Sequence, residues 1–386
     1  MIRWEDKASA LADHLVASGY LSDNQWHAAF QAIPRHLFVP RFWHDPATLL
    51  DGENLATRAP WLQAVYSDES LTTQYAPVPG TNLMWATSSS TKPSLMARML
   101  DMLNVHTGHT VLEIGTGTGY NAALLCHRLG NTHVTSIDID PDLIVDARLR
   151  LAALSYHPTL FTQDGAGGAV DNAPYHRIIA TCAVPAIPPA WIDQLVPSGT
   201  IVADLRGDLA SSIAVLRKTH PDTVTGRFSS VPGHFMWLRA DAANPLRDGG
   251  QFNTVIDHDG ADQRTTTFDL RILDNTDLRF VLQRFDPTLQ HLWRSHHDGA
   301  DTLHLSTEDG SWLQAQPHHD QTLITQGGPR RIWTIIEHAT AMWNQLGRPT
   351  RDRFGLTATT ATHDYWLDHP SNKLGSLTVP AACSQR

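Results

Sequence analysis

The 386-residue sequence predicts an α/β protein, with a doubly wound parallel sheet at its centre, helices ahead of it and an additional α+β region behind. Three observations lead there. Between residues 110 and 205 the apolar runs "TVLEIG", "HVTSID", "PTLFTQD", "RIIATC" and "TIVADL" alternate with helical segments near 119–129, 141–154 and 188–195. A parallel sheet covered on both faces requires that alternation. The first run enters a glycine-rich turn, "GTGTG" at 115–119, and after residue 205 the alternation stops.

Taken in order, the chain divides into an N-terminal helical and substrate-loop stretch (1–92), the sheet-and-helix core (93–243) and an accessory α+β region (244–386). Ala8, Leu11, Leu15 and Val16 fall on one helical face before Gly19, which suits a C-terminal cap; Ser22 and Gln25 read as a capping box opening a second helix through Trp26, Ala29 and Phe30. Pro34 ends it. Residues 44–85 lack periodicity and are broken by Pro and Gly, so an irregular segment over the core is expected there, with Trp61, Tyr66, Tyr75 and Trp85 arguing against disorder. "ATSSSTKP" at 86–93 then leads into a helix with Leu95, Met96, Met99, Leu100 and Leu103 at helical spacing and Pro93 in its first turn. Beyond the alternating core, residues 213–218 and 234–239 read as an antiparallel pair closing the sheet, followed by a polar linker at 240–250. In the last region Ile332, Ile336, Ala339, Trp343 and Leu346 form one clear helix, stopped by Gly347 and Pro349.

Composition removes several function classes. A 41% hydrophobic chain of this length buries a large core, and a formal charge of -10 gives no basic face for nucleic acid or an acidic membrane. Cys126, Cys182 and Cys383 are too few and too scattered for a disulfide framework or a zinc cage. No signal core or membrane-length apolar run is present, so a cytoplasmic location is expected.

"VLEIGTGTGY" is a strand, three glycines at 115, 117 and 119, and a helix start. Such a turn lets a ligand approach backbone N–H groups with no side chain in the way. Glu113 precedes it, where a pyrophosphate would be repelled, and Asp138 ends the next strand, where a carboxylate can accept from ribose hydroxyls; Asp164 and Gly165 close the third strand. An acidic loop with strand-end aspartates suits a nucleoside with a cationic tail, which describes S-adenosylmethionine. The expected cofactor-binding set is Glu113, Gly115, Thr116, Gly117, Thr118, Gly119, Tyr120, Asp138, Ile139, Asp164, Gly165 and Thr181; the alternative is a capped strand-to-helix turn with solvated carboxylates.

The run Ser88, Ser89, Ser90 and Thr91 has two readings. It is a polar surface loop, or it gathers hydroxyl donors around an anionic oxygen at the mouth of the helix that follows.

"IPRHLFVP" (33–40), this hydroxyl stretch, "VLEIGTGTGYNAALL" (111–125), "DG" (164–165) and "APYHRIIATCAVPAIPPAWIDQLVPSGTIV" (173–202) together resemble the protein-L-isoaspartate O-methyltransferase family over about residues 20–205. The resemblance implies the Rossmann-like class I methyltransferase fold and methyl transfer to an aspartate-derived carboxylate, with Thr91 where the family usually has a substrate-side serine. It makes Ser88, Ser89, Ser90 and Thr91 the carboxylate cradle. His176 stands where the family usually has an acidic residue, and the chain continues far past the sheet, where the repair enzymes are expected to end. "DGSW" (309–312), "GGPRRIW" (327–333) and "WNQLGRPTRDRFGLT" (343–357) resemble the branch associated with ATP-grasp-cyclised peptides, the graspetides. That branch implies esterification of an aspartate in an acidic precursor peptide, pre-cyclised by an ATP-grasp ligase and recognised by the accessory region, with collapse of the ester to an aspartimide. Isoaspartyl repair and a non-catalytic precursor-binding role are the alternatives.

Twenty-two histidines, with pairs at 296–297 and 318–319, show no metal-ligand spacing, so no metal is expected. Cys182 reads as a buried apolar cysteine. Arg330 and Arg331 read equally as contacts for an acidic peptide or as a solvated helix start, and Trp293, Trp312, Trp333, Trp343 and Trp366 as core.

Overall fold

The computed structural model describes residues 3–244, 261–297 and 300–378. Helix α1 (Trp4–Ala17) buries Ala8, Leu11, Ala12 and Leu15, leaves Val16 exposed, and ends as expected on left-handed Gly19, with the Tyr20 N–H donating to Leu15 O. Helix α2 (Asn24–Ala32) is capped by Asp23, whose carboxylate accepts from the Gln25 N–H. The expected cap Ser22 is used elsewhere: its N–H and hydroxyl both donate to Asp101, tying the helix entry to the helix beginning at Pro93. One short turn, α3 (Arg35–Phe38), follows.

The stretch expected to be irregular is a small antiparallel sheet. Strands β1 (Arg41–Asp45) and β2 (Thr48–Asp51), helix α4 (Arg58–Val65), and strands β3 (Leu71–Pro77) and β4 (Met84–Ser90) give the order β2-β1-β3-β4. Strands β1 and β2 are short, the sheet is half-exposed, and two bulges interrupt the β3–β4 pairing, so no period-2 pattern survives in the sequence. The hydroxyl run is therefore the end of an edge strand rather than a loop.

Helix α5 (Pro93–Leu103) leads into the core: β5 (Val111–Ile114), α6 (Tyr120–Leu129), β6 (Val134–Asp138), α7 (Pro141–Ala152), β7 (Thr159–Thr162), β8 (Tyr175–Val184), α8 (Pro189–Asp193) and β9 (Leu195–Arg206). The order β7-β6-β5-β8-β9 is parallel throughout. Every residue of β5 is buried, which is why these strands read as unbroken apolar runs. Strands β10 (Ser211–His220) and β11 (Thr223–Phe228) extend this sheet antiparallel. The partner of β10 is thus β11, not residues 234–239. Val224 and Phe228 supply the buried side chains of that strand, while residues 234–239 make only a bridge at Trp237 to Ala183 and cross the end of the sheet.

The remaining chain forms β12 (Asp262–Thr266), α9 (Thr276–Phe285), β13 (Leu289–His297), β14 (Ala300–Thr307), β15 (Trp312–His318), β16 (Gln321–Gly327) and α10 (Ile332–Gln345), with β12–β16 in a separate antiparallel sheet. Strands β17 (Phe354–Thr359), β18 (Thr362–Leu367) and β19 (Lys373–Thr378) then return to the central sheet through β11, making it ten-stranded. The region after residue 243 accordingly contributes to two sheets, and one apolar core runs from Leu112 and Ile178 to Leu303 and Ile336. Trp312, Trp333, Trp343 and Trp366 are all buried, Trp333 and Trp343 within that core. Cys383, residues 245–250 of the polar linker, and the side chains of Trp293, His296 and His297 lie outside the described residues. Among the described residues no helix is long and apolar enough to cross a membrane.

Candidate active site

The loop from β5 to α6 is shaped by three glycines at positive φ, 97° at Gly115, 51° at Gly117 and 85° at Gly119. A Cβ on Gly115 would meet Thr181 Oγ1 at 2.8 Å, so a bare backbone is needed where that hydroxyl donates to Gly115 O at 2.7 Å. Asp138, at the end of the neighbouring strand, accepts from the N–H of Gly117 at 2.8 Å and of Asp140 at 3.1 Å. Burial raises its carboxyl above the ordinary aspartate range, against those two hydrogen bonds. Glu113 lies under the loop with no exposed surface, accepting from Ser136 Oγ at 2.5 Å and Asn121 Nδ2 at 2.7 Å, and burial pushes it up to about 7. Its oxygens are thus engaged by the protein: Glu113 positions the loop.

Above the loop is a cavity of about 790 Å³, lined by ten of the expected cofactor residues: Glu113, Gly115, Thr116, Gly117, Thr118, Tyr120, Asp138, Ile139, Gly165 and Thr181. Gly119 and Asp164 do not line it. Gly119 lets α6 pack on α7, its Cβ position lying 3.0 Å from Ala147 Cβ, and the Asp164 carboxylate caps its own turn by accepting from the Ala166 N–H. The loop is open and Asp138 faces the cavity, so the site fits S-adenosylmethionine: Asp138 has lone pairs left for ribose hydroxyls, and Gly115 and Gly117 present bare backbone.

All four predicted hydroxyl residues line the same cavity. Ser88 Oγ and Ser89 O lie 3.8 Å from the Cβ position of Gly117, so β4 runs against the glycine loop. Ser88 accepts from Thr73 Oγ1 and Ser90 from the Arg35 guanidinium, at 3.3 and 3.2 Å, which leaves their O–H groups free to donate. No side-chain hydrogen bond among the described residues engages the Ser89 or Thr91 hydroxyl. Arg35 escaped the sequence reading. It is fully buried and donates to the carbonyls of Val65, Ser67, Glu69, Ser90 and Thr91, and burial lowers it to about 10. Its hydrogen bonds go to carbonyls and the Ser90 hydroxyl, with the Asp68 carboxylate acting on it through space and the Tyr120 ring 5.9 Å away, so β4 is backed by a fixed positive charge.

Residues 229–239 form a strap along one wall of the cavity, lining it with Val231, Phe235, Met236, Trp237 and Leu238 among others. Buried Asp204, at the end of β9, holds it: one oxygen accepts from Ser211 Oγ at 2.6 Å and the other from the Phe235 N–H at 3.1 Å, while Ser211 Oγ accepts from the N–H groups of Gly233 and His234. These residues were legible only as strand ends and turn.

Cys182 reaches the lining, but burial raises its thiol and it donates weakly to Ile114 O, so it is inert packing as expected. His176 is remote, stacked on His109 at 4.8 Å, and among the described residues no His, Cys, Asp or Glu cluster could hold a metal. Arg330 is spent inside the accessory region, at 2.6 Å from both Asp286 and Asp309, with Thr288 accepting a third bond; Arg331 faces Asp262 at 3.8 Å.

A glycine loop at the end of the first parallel strand, an acid at the end of the second and a cavity over both define a class I S-adenosylmethionine-dependent methyltransferase. The chain belongs to the protein-L-isoaspartate(D-aspartate) O-methyltransferase family, whose model matches residues 6–231; it is an S-adenosylmethionine-dependent protein carboxyl O-methyltransferase. It is 33% identical over 200 residues to the protein-L-isoaspartate O-methyltransferase of Ignicoccus hospitalis, covering 51% of this chain and 81% of that one. It is 30% identical over 223 residues to protein-L-isoaspartate O-methyltransferase 2 of Archaeoglobus fulgidus, covering 57% and 88%. A solved structure described as a protein-L-isoaspartate O-methyltransferase, 19% identical, shares the fold over 91% of this chain and 96% of its own at a TM-score of 0.50. That extent passes well beyond residue 231, so at least this structure of that name also continues past the sheet.

Proposed function

We propose that the protein methylates the carboxylate of an L-isoaspartyl residue in peptides or proteins. The observation that carries this is the meeting of β4 with the glycine loop, which sets Ser88 to Thr91 against the place where the cofactor would sit. S-adenosylmethionine, when bound, supplies an electrophilic methyl group. An aspartate-derived carboxylate is already ionised at neutral pH, so the chain has no proton to remove. The work left to its residues is holding the carboxylate by hydroxyl donors and excluding water, with Arg35 behind the strand strengthening the Ser90 donor and the strap walling the site. The family relationship and its named relatives favour this substrate.

A second reading, the aspartate of an ATP-grasp-cyclised precursor peptide, is supported by the motifs "DGSW", "GGPRRIW" and "WNQLGRPTRDRFGLT", which lie beyond the family model. Asp309, Ser311 and Arg330 of those motifs bond to one another, however, and so support packing rather than peptide contact. With either substrate the backbone nitrogen of the next residue can attack the ester, lose its proton and expel methanol, closing a five-membered imide.

Mass spectrometry separates the two. Enzyme and S-adenosylmethionine are incubated with an isoaspartyl peptide, its aspartyl isomer and a cyclised precursor; gain of one methyl by the isoaspartyl peptide alone is expected. Turnover of the cyclised precursor alone would transfer the assignment to the second reading.

A further inference from the structure

Lys92, Leu95 and Arg98 recur at three-residue spacing along the start of α5 and border the cavity that Thr91 also lines. Tyr20 stands beside Arg98 on that lining, and residues 230–232 of the strap join it. Lys92 is engaged by Asp68 at 3.5 Å. Arg98 is not engaged in this way. Its guanidinium lies 4.9 Å from the centroid of the Tyr20 ring, and among the described residues it has neither an ion pair nor a side-chain hydrogen bond. The nearest acid along its helix face, Asp101, accepts both Ser22 bonds on Oδ2 and turns its Oδ1 into the protein, where it is buried and not bonded to Arg98. An arginine stacked on an aromatic face keeps its N–H edges for a planar anion, and stacking has already restricted its rotamers.

We propose that this groove receives the residues flanking the methylated one, and that Arg98 pairs there with a carboxylate side chain of the substrate. The inference rests on the reading that a peptidyl carboxylate reaches Thr91. At helical rise, Arg98 stands about 10 Å along the groove from Thr91. An extended peptide covers that span in about three residues. The acid that Arg98 reads therefore lies about three positions from the methylated residue.

The test uses fluorescein-labelled isoaspartyl peptides carrying Glu, Gln or Lys three residues before or after the isoaspartyl position. Binding is followed by anisotropy and methyl transfer by mass spectrometry. With one placement, the full-length protein should bind the Glu peptide roughly five- to tenfold tighter than the Gln peptide, with the difference shrinking as salt rises. Arg98→Gln should abolish the preference, Arg98→Lys should keep part of it, and Arg98→Glu should turn it toward the Lys peptide; calorimetric S-adenosylmethionine binding identifies the folded variants. Equal affinities in the unsubstituted protein, a preference that survives Arg98→Gln, or no binding of any peptide would overturn the proposal. A preference that depends on Arg98 without methyl transfer would leave this groove standing and remove the isoaspartyl assignment alone.

Discussion

Glu113 and Asp138 sit on neighbouring parallel strands and have opposite tasks. Glu113 is sealed beneath the loop and raised by burial to about 7, whereas an unfolded glutamate titrates near roughly 4.3. Between those values the folded protein binds more protons than the unfolded chain, so this residue's contribution to stability falls as pH rises through that window. Glu113→Gln removes the titration. The variant's melting temperature relative to the unsubstituted protein should therefore improve from pH 5 to pH 8, and a pH-independent gap in thermal denaturation would contradict this account. Asp138 faces the cavity, and Asp138→Ala should weaken cofactor binding by about 1.5–3 kcal/mol, the worth of a hydrogen bond to a charged group; unchanged calorimetric affinity would remove it from the site. Thr91→Ala should lower turnover more than cofactor affinity and Thr91→Ser should keep much of the turnover, because the proposed reading sets Thr91 against the substrate carboxylate. Equal loss of both parameters would displace it from that role. The glycines and strand-end acids were legible because they are contiguous and strand-ordered. Arg35 was not, since its meaning depends on Ser90, 55 residues later, folding back over it.

At the scale of elements, legibility follows burial. Strands β5, β6 and β8 are buried almost throughout and leave continuous apolar runs, and α10 keeps a full apolar face with Ile332, Ile336 and Trp343 buried. Strands β1 to β4 are half-exposed and their pairing is bulged, so they read as irregular chain, and the hydroxyl run of β4 shows no strand signal for the same reason. The strap at 229–239 left even less trace. Its conformation is fixed by the side chains of Asp204 and Ser211 rather than by a ladder of its own, and His234 is held at a φ of 53° within it. Ser211→Ala would strip the acceptor from two backbone N–H groups and a donor from buried Asp204. Stability should fall by about 1–3 kcal/mol, and in the variant that still folds, cofactor affinity should fall too, because the strap is one wall of the cavity. Denaturant unfolding and calorimetry on the same preparation check both; lost stability with intact cofactor affinity would make the strap irrelevant to binding.

At the scale of the molecule, the sequence suggested an accessory region set after a complete core, and the structure joins the two. Strand β11 would be an open edge without β17, and Phe228 on it is enclosed by Phe280 of α9 at 4.8 Å and Tyr365 of β18 at 6.2 Å. Arg351 reaches across as well, bonding Asp277 on one side and the Ser211 carbonyl on the other, so the accessory region also grips the turn that anchors the strap. These contacts share apolar surface, hydrogen bonds and a continuous sheet, which is the physical basis of joint rather than stepwise unfolding. The protein should therefore melt in a single calorimetric transition whose van't Hoff and calorimetric enthalpies agree. Phe280→Ala, by emptying the space between the two regions, should destabilise that whole transition by about 3–5 kcal/mol instead of splitting off a low-temperature step. Two separate transitions, with cofactor raising only one of them, would mean that the region after residue 243 folds by itself and that its hold on the strap is incidental.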